Sequence, residues 1–181
     1  TRGKIMDKQQ FLQLKNFTFS TPYYPRDVKL SDIATWALWN PEDKYDTSII
    51  EQNIDRLNPN VMFIALNFAG DGTGYYLDQS WWKDWQNFHG DKTQTDKKLC
   101  KMLSNTKFEG SYLTDLFKCV PTRSSVELSQ RVKNNEIDLE KQINLFKNEI
   151  YLLNSDNLEI YLMGYETERL FKKYFLPHVK D

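Results

Sequence analysis

The chain is poor in the residues that build metal centres and disulfide frameworks. It carries two cysteines, Cys100 and Cys119, and two histidines, His89 and His178. Two thiols make no framework of bridges, and no CxxC pair or His-rich spacing offers a zinc site. No metal and no cofactor are therefore expected. So sparse a cysteine content fits a reducing compartment, and the cytoplasm is the expected location. No apolar run approaches the ~20 residues that cross a bilayer, and no secretory leader opens the sequence, so no membrane partner is expected. A net charge of −1 argues against a protein coated in basic residues for non-specific nucleic-acid binding, but leaves room for one local basic groove. None of this speaks to oligomeric state.

What is abundant is apolar and aromatic. Hydrophobic residues are 40% of the chain and Phe, Tyr and Trp 14%, well above disordered sequences. A length of 181 residues suits one domain around one core. No internal repeat or low-complexity stretch divides it.

Apolar spacing predicts the elements. Short helices are expected over Met6 to Leu14 and Thr47 to Leu57, the latter stopped by Asn58-Pro59-Asn60. Val61 to Leu66 (VMFIAL) is a short continuous apolar run, the pattern of a strand buried on both faces in a parallel sheet. Asn67 to Asp91 has no period, and loops so long inside a compact domain are usually functional or disordered; its aromatics favour function. A helix is expected over Thr95 to Ser104, a strand over Tyr112 to Val120, a helix over Glu136 to Leu153, a strand over Leu158 to Met163, and a last helix after Gly164. Strands alternating with helices predict a parallel α/β sandwich. Ligands in such sheets bind beyond the carboxyl ends of the strands, here at Asn67 onward, Thr114 to Arg123 and Gly164-Tyr165.

Those strand ends resemble the uracil-DNA glycosylase superfamily. VMFIALNFAGDGTG is similar to its first active-site motif, in which a hydrophobic strand delivers a polar residue into a turn that cups base and sugar. The mismatch-specific thymine/uracil branch has Gly-Ile-Asn-Pro there; Ala65-Leu66-Asn67-Phe68 matches it at Asn67 and departs at Ala65 and Phe68. Trp85-Gln86-Asn87-Phe88-His89 resembles the segment that stacks an aromatic ring on the flipped base. Ser111 to Leu116 lies where the family ends a strand in Thr-Asn or Asn to read the base edge. Phe117 to Arg123 is similar to a Val-Lys-Cys-Arg-Pro stretch of the iron–sulfur members, although two cysteines are too few for a cluster. The family's His-containing motif follows a fourth strand, and the sequence ends at Asp181, about where that strand should begin. The resemblance spans roughly residues 60 to 175. It implies a three-layer α/β/α sandwich with a short, mostly parallel sheet, and a partner that is DNA or another nucleobase-containing ligand. The implied chemistry is hydrolysis of the N-glycosidic bond of a damaged or mismatched base, or binding of nucleic acid or nucleotide without hydrolysis.

Each candidate has a plainer reading beside the functional one. The resemblance implies that Asn67 orients the attacking water; a strand-end Asn also caps turns. Asp71, set between glycines, is either a turn residue or a carboxylate that activates water. Phe68, Tyr75 and Phe88 are stacking rings, worth about 1–3 kcal/mol per base, or core aromatics. Ala69 belongs to the same cupping turn. Trp81, Trp82 and Trp85 are too crowded for all three to be buried on one helix face. Thr114 and Asp115 stand where the base edge is read. An ionised Asp115 is acceptor-only and would reject uracil in favour of an edge bearing N–H donors, unless it pairs with Lys118 or Arg123 instead. Lys118 and Arg123 are expected at a phosphate-binding rim or on a solvated face.

Overall fold

The computed structural model describes residues 3–69, 76–90 and 94–180. In the first forty residues, α1 (Lys8–Asn16) starts at Asp7, whose carboxylate accepts the Gln10 N–H at 2.8 Å, and buries Phe11 and Leu14. Around it lie β1 (Thr18–Phe19), β2 (Val28–Lys29), α2 (Leu30–Ile33) and β3 (Thr35–Trp36). These two-residue strands have no periodic signature in sequence; tertiary contact creates them.

The helix expected over residues 47–57 is broken. It runs as α3 (Ser48–Gln52) and then a 3₁₀ turn, Ile54–Arg56. The Asn53 side chain donates to the Ile49 carbonyl at 2.8 Å, the kind of local competition that makes Asn a poor helix interior.

The parallel core follows. It comprises β4 (Asn58–Ala69), α4 (Gln94–Leu103), β5 (Ser111–Thr122), α5 (Ser125–Lys133), α6 (Leu139–Leu153), β6 (Glu159–Leu162) and α7 (Tyr165–Leu170), the last continued by a wider π turn at Phe171–Phe175. The main sheet is ordered β3-β5-β4-β6. Strands β5, β4 and β6 are parallel, and β3 is an antiparallel edge. A four-stranded, mostly parallel sheet flanked by helices is compatible with the expected three-layer sandwich.

Period-two alternation gives β4 and β5 two apolar faces. Met62, Ile64, Tyr112 and Leu116 join the cluster that holds α1, α5, α6 and α7 residues, including Phe11, Leu128, Phe146 and Phe171. Val61, Phe63 and Leu113 join a second cluster with Leu99, Cys100 and Leu103 of α4. Burial of each such side chain is worth roughly 1.5–3 kcal/mol, so the central strands are the best-anchored part of the chain. Among the described residues, no helix is long and apolar enough to cross a membrane.

Helix α5 was not expected from spacing. Ser124 caps it by accepting the Glu127 N–H at 3.1 Å, and the Glu127 carboxylate reaches back to the Arg123 N–H at 2.9 Å. Ser124-Ser125-Val126-Glu127 thus has the Ser-x-x-Glu spacing of a capping box, legible in sequence, with Glu127 bonding the N–H one residue before the cap.

Candidate functional site

Strand β4 carries Asn67 to the carboxyl edge of the sheet. There the pairing changes. Ala65 faces Asp115 and Asn67 faces Phe117 in regular register, but Ala69 faces Thr122. Two steps along β4 thus match five along β5. Cys119 absorbs the excess in the left-handed region, at φ 55°, making β5 bulge; bulges of this kind re-aim side chains and end pairing. The bulge delivers the Val120 carbonyl and the Thr122 hydroxyl to Asn67. Its Nδ2 donates to Val120 O at 2.7 Å, Thr122 Oγ1 at 2.9 Å and Phe68 O at 3.2 Å. Carbonyls only accept, so they fix which end of the amide is nitrogen. Oδ1 then points away from them, on a residue that is half-buried.

Asp115 is 4% exposed. Its carboxylate accepts the Asn87 Nδ2–H at 3.1 Å, and that same nitrogen donates to Ile33 O at 2.6 Å. Burial pushes the Asp115 carboxyl up to about 7, against the opposing pull of Lys118. A carboxyl raised this far is favoured in its protonated form relative to an exposed one, and a protonated carboxyl donates as well as accepts. Its neighbour Asn87 belongs to a strained segment. Trp85 and Phe88 adopt φ of 66° and 63°, values that side chains of this bulk rarely take. Contacts hold the segment down. The Trp85 N–H donates to Ser31 O at 2.6 Å, and the Thr35 hydroxyl donates to Trp85 O at 2.7 Å. His89 is buried and packs against Trp39, the rings tilted by 31° with centroids 5.0 Å apart. Phe88 is half-buried against the second cluster, a core contact.

Lys118 and Thr114 do not reach the strand-end surface. The Lys118 ammonium pairs with Glu149 of α6, both side chains at 0% exposure. It also donates to Thr114 Oγ1 at 2.9 Å and to the Asp115 carbonyl. The hydroxyls of Thr114 and Tyr112 donate to Glu149 Oε2 at 2.7 and 2.6 Å. Burial, with the Glu149 charge beside it, holds the Tyr112 phenol well above its ordinary value. Gln142 brackets the Lys118 backbone, accepting its N–H at 2.6 Å and donating to its carbonyl at 3.1 Å. Lys118 is thus a core cation, not part of a phosphate rim, and Thr114 turns toward α6 while Asp115 turns toward Asn87.

Arg123 is exposed and directly follows Thr122. Phe68 meets Trp82 edge-on at 5.5 Å, and Trp82 meets Trp81 at 5.7 Å. Trp85 is 1% and Trp81 55% exposed, so the crowded tryptophans resolve into one core ring and one surface ring. Asp71 and Tyr75 lie outside the described residues, as does the side chain of Ala69. Among the described residues, no group of three or more His, Cys, Asp or Glu side chains is placed to hold a metal ion.

The structure therefore brings Asn67 together with Thr122 at one strand end and Asp115 together with Asn87; Arg123 follows Thr122 in the chain, and Phe88 packs on the second cluster. Sequence reasoning missed Thr122, Asn87 and Glu149. A signal existed for the last: Gln142 and Glu149 are two helical turns apart and flank Phe146, so helical spacing puts them on the buried stripe of α6. Comparison with known families, curated proteins and solved structures found no match to the chain.

Proposed function

We propose that this chain is a diverged relative of the uracil-DNA glycosylases that binds a nucleobase at the carboxyl ends of β4 and β5. One observation carries the reading: the Asn67 amide is held by its nitrogen, which turns its oxygen, an acceptor, away from those partners at the strand end, where sheets of this kind bind ligands. With a flipped or unpaired base in place, that oxygen would orient a water toward the sugar carbon. An amide accepts a hydrogen bond without taking the proton. Such a site is slow and depends on stabilising the departing base. Its role would be removal of a damaged or mismatched base, a DNA-repair hydrolysis. The test is incubation with oligonucleotides carrying uracil, hypoxanthine, xanthine or mismatched thymine, followed by alkaline cleavage of abasic sites. Strand breaks with wild type and none with Asn67→Ala are expected. Equal silence from both proteins on every substrate removes the hydrolytic reading.

A second reading is binding of nucleic acid or nucleotide without hydrolysis. The observation favouring it is the inward commitment of Lys118 and Thr114 to Glu149, which leaves two of the groups expected around substrate unavailable to it. Salt-dependent binding to single-stranded or duplex DNA without cleavage is its signature.

A further inference from the structure

A residue that neither motif nor spacing singles out joins the Val120 and Phe68 carbonyls in setting the polarity of the Asn67 amide. Thr122 is 5% exposed. Its hydroxyl accepts from Asn67 Nδ2 at 2.9 Å and donates to the Ser124 carbonyl at 3.1 Å. A hydroxyl has one proton. With that proton on a carbonyl, which cannot donate, only lone pairs remain for Asn67. A flipped amide would put Oδ1 against the Thr122 oxygen and the Val120 carbonyl, two acceptors with no hydrogen between them. Ser124 is itself fixed, because its side chain caps α5. The chain of contacts thus runs from a helix cap, through one hydroxyl, to the amide at the sheet edge. The β5 bulge at Cys119 is what brings Thr122 level with it.

We infer that Thr122 is a positioning residue that, with the Val120 carbonyl, holds the Asn67 amide with its oxygen turned away from both, so that the strand-end site takes ligands bringing a hydrogen-bond donor to Asn67. The ligand half of the inference rests on the nucleobase reading above; the positioning half does not. The donor is an N–H of a base edge or an O–H of a water held against the sugar.

The test uses the full chain, isotope-labelled, with Asn67 side-chain N–H exchange read by NMR. In wild type these protons exchange more slowly than those of an exposed Asn. Thr122→Val keeps the shape but offers no acceptor, and exchange accelerates about tenfold, the weight of roughly one hydrogen bond. Thr122→Ser restores protection. Exchange as fast as in an exposed Asn in wild type itself overturns the inference, whether or not any variant folds. So does a folded Thr122→Val protein with unchanged exchange and chemical shifts. In a parallel titration with a uracil-bearing single-stranded oligonucleotide, Thr122→Val weakens binding about tenfold on the same grounds, and Thr122→Ser does not. A released amide with unweakened binding overturns the ligand half. If wild type binds no oligonucleotide while the amide is still released by Thr122→Val, the nucleobase reading fails and the positioning role stands.

Discussion

Lys118 and Glu149 form an ion pair in which neither side chain reaches solvent. The pair joins β5 to α6 beneath the strand end, and it gathers the hydroxyls of Tyr112 and Thr114. Desolvating two charges is expensive, and mutual attraction returns the expense only when the remaining polar groups are satisfied. Here both hydroxyls donate to Glu149 Oε2, Oε1 faces the ammonium alone, and a hydroxyl and a carbonyl serve the ammonium.

Removing one partner should therefore harm the protein more than removing both. Glu149→Leu leaves a buried ammonium without its counter-charge, a loss of about 3–5 kcal/mol. Lys118→Met combined with Glu149→Leu leaves no uncompensated charge and should recover most of that loss. Urea denaturation at neutral pH measures both. A double variant at least as unstable as the single one would show that the hydroxyl network, not the charge pair, holds α6 on the sheet.

Asp115 and His89 give opposite pH dependences in overlapping windows. Asp115 has a folded-state carboxyl raised to about 7 by burial, against an unfolded value of about 3.9. Between those values the folded protein holds the proton and the unfolded chain does not, so this group makes stability rise as pH falls from 7 toward 4. His89 is lowered by burial to about 4, against about 6.5 when unfolded. It makes stability fall as pH drops from 6.5 toward 4. The wild-type profile is the partly cancelled sum. Asp115→Asn keeps an acceptor for Asn87 and removes the acid-stabilising contribution. It is expected to be more stable than wild type at pH 8 and to lose stability more steeply below pH 6.5. Thermal melts across that range decide it; parallel profiles for the two proteins would refute the assignment.

How far these features were legible depended on whether local pattern or tertiary contact produced them. The VMFIAL run was readable because a strand buried on both faces needs apolar residues at every position. Asn67 at its end followed. The first pairing strands were not readable: two residues such as Thr35 and Trp36 become a strand only because Leu113 and Tyr112 lie beside them. Lys118 misled for a different reason. Lysines are almost always solvated, and its buried partner Glu149 is 31 positions away in sequence. Helix α5 is announced in sequence only by its Ser-x-x-Glu start, since an apolar stripe of two buried residues, Leu128 and Val132, is too narrow for periodicity to show.

Two glycines with positive φ should respond very differently to a methyl group. Gly110 has φ 83°, and a Cβ there would meet the Arg56 carbonyl at 2.1 Å. It cannot retreat easily, since its N–H donates to Ala37 O and its carbonyl accepts from Asn58 N, both at 2.8 Å. Gly164 has φ 96°, but a Cβ there would meet only Thr167 Oγ1, at 3.9 Å. Gly164→Ala bears the conformational penalty of its extended positive-φ backbone, φ 96° and ψ 152°, about 1–3 kcal/mol. Gly110→Ala adds a backbone clash and should cost more than Gly164→Ala, enough to lower soluble yield. Urea midpoints in the reverse order would mean that the Arg56 backbone yields.

Trp81 and Trp82 offer a reading of the strand end that needs no turnover. Of the chain's five tryptophans, Trp36, Trp39 and Trp85 are at most 8% exposed, and Trp81 is 55% exposed. A neutral quencher such as acrylamide should therefore act mainly on Trp81, and Trp81→Phe should remove most of the quenchable emission. Trp82 is the internal ring of the series Phe68, Trp82, Trp81, and its indole N–H donates to Asp32 O at 2.9 Å, so its emission reports on the residue next to Asn67. A base held at Asn67 lies against this edge of the sheet. Binding of a uracil-bearing single strand should then change the emission of Trp81→Phe protein, through Trp82, and the change should vanish with Asn67→Ala. Emission that responds to the oligonucleotide equally with and without the Asn67 amide would locate the ligand elsewhere on the surface.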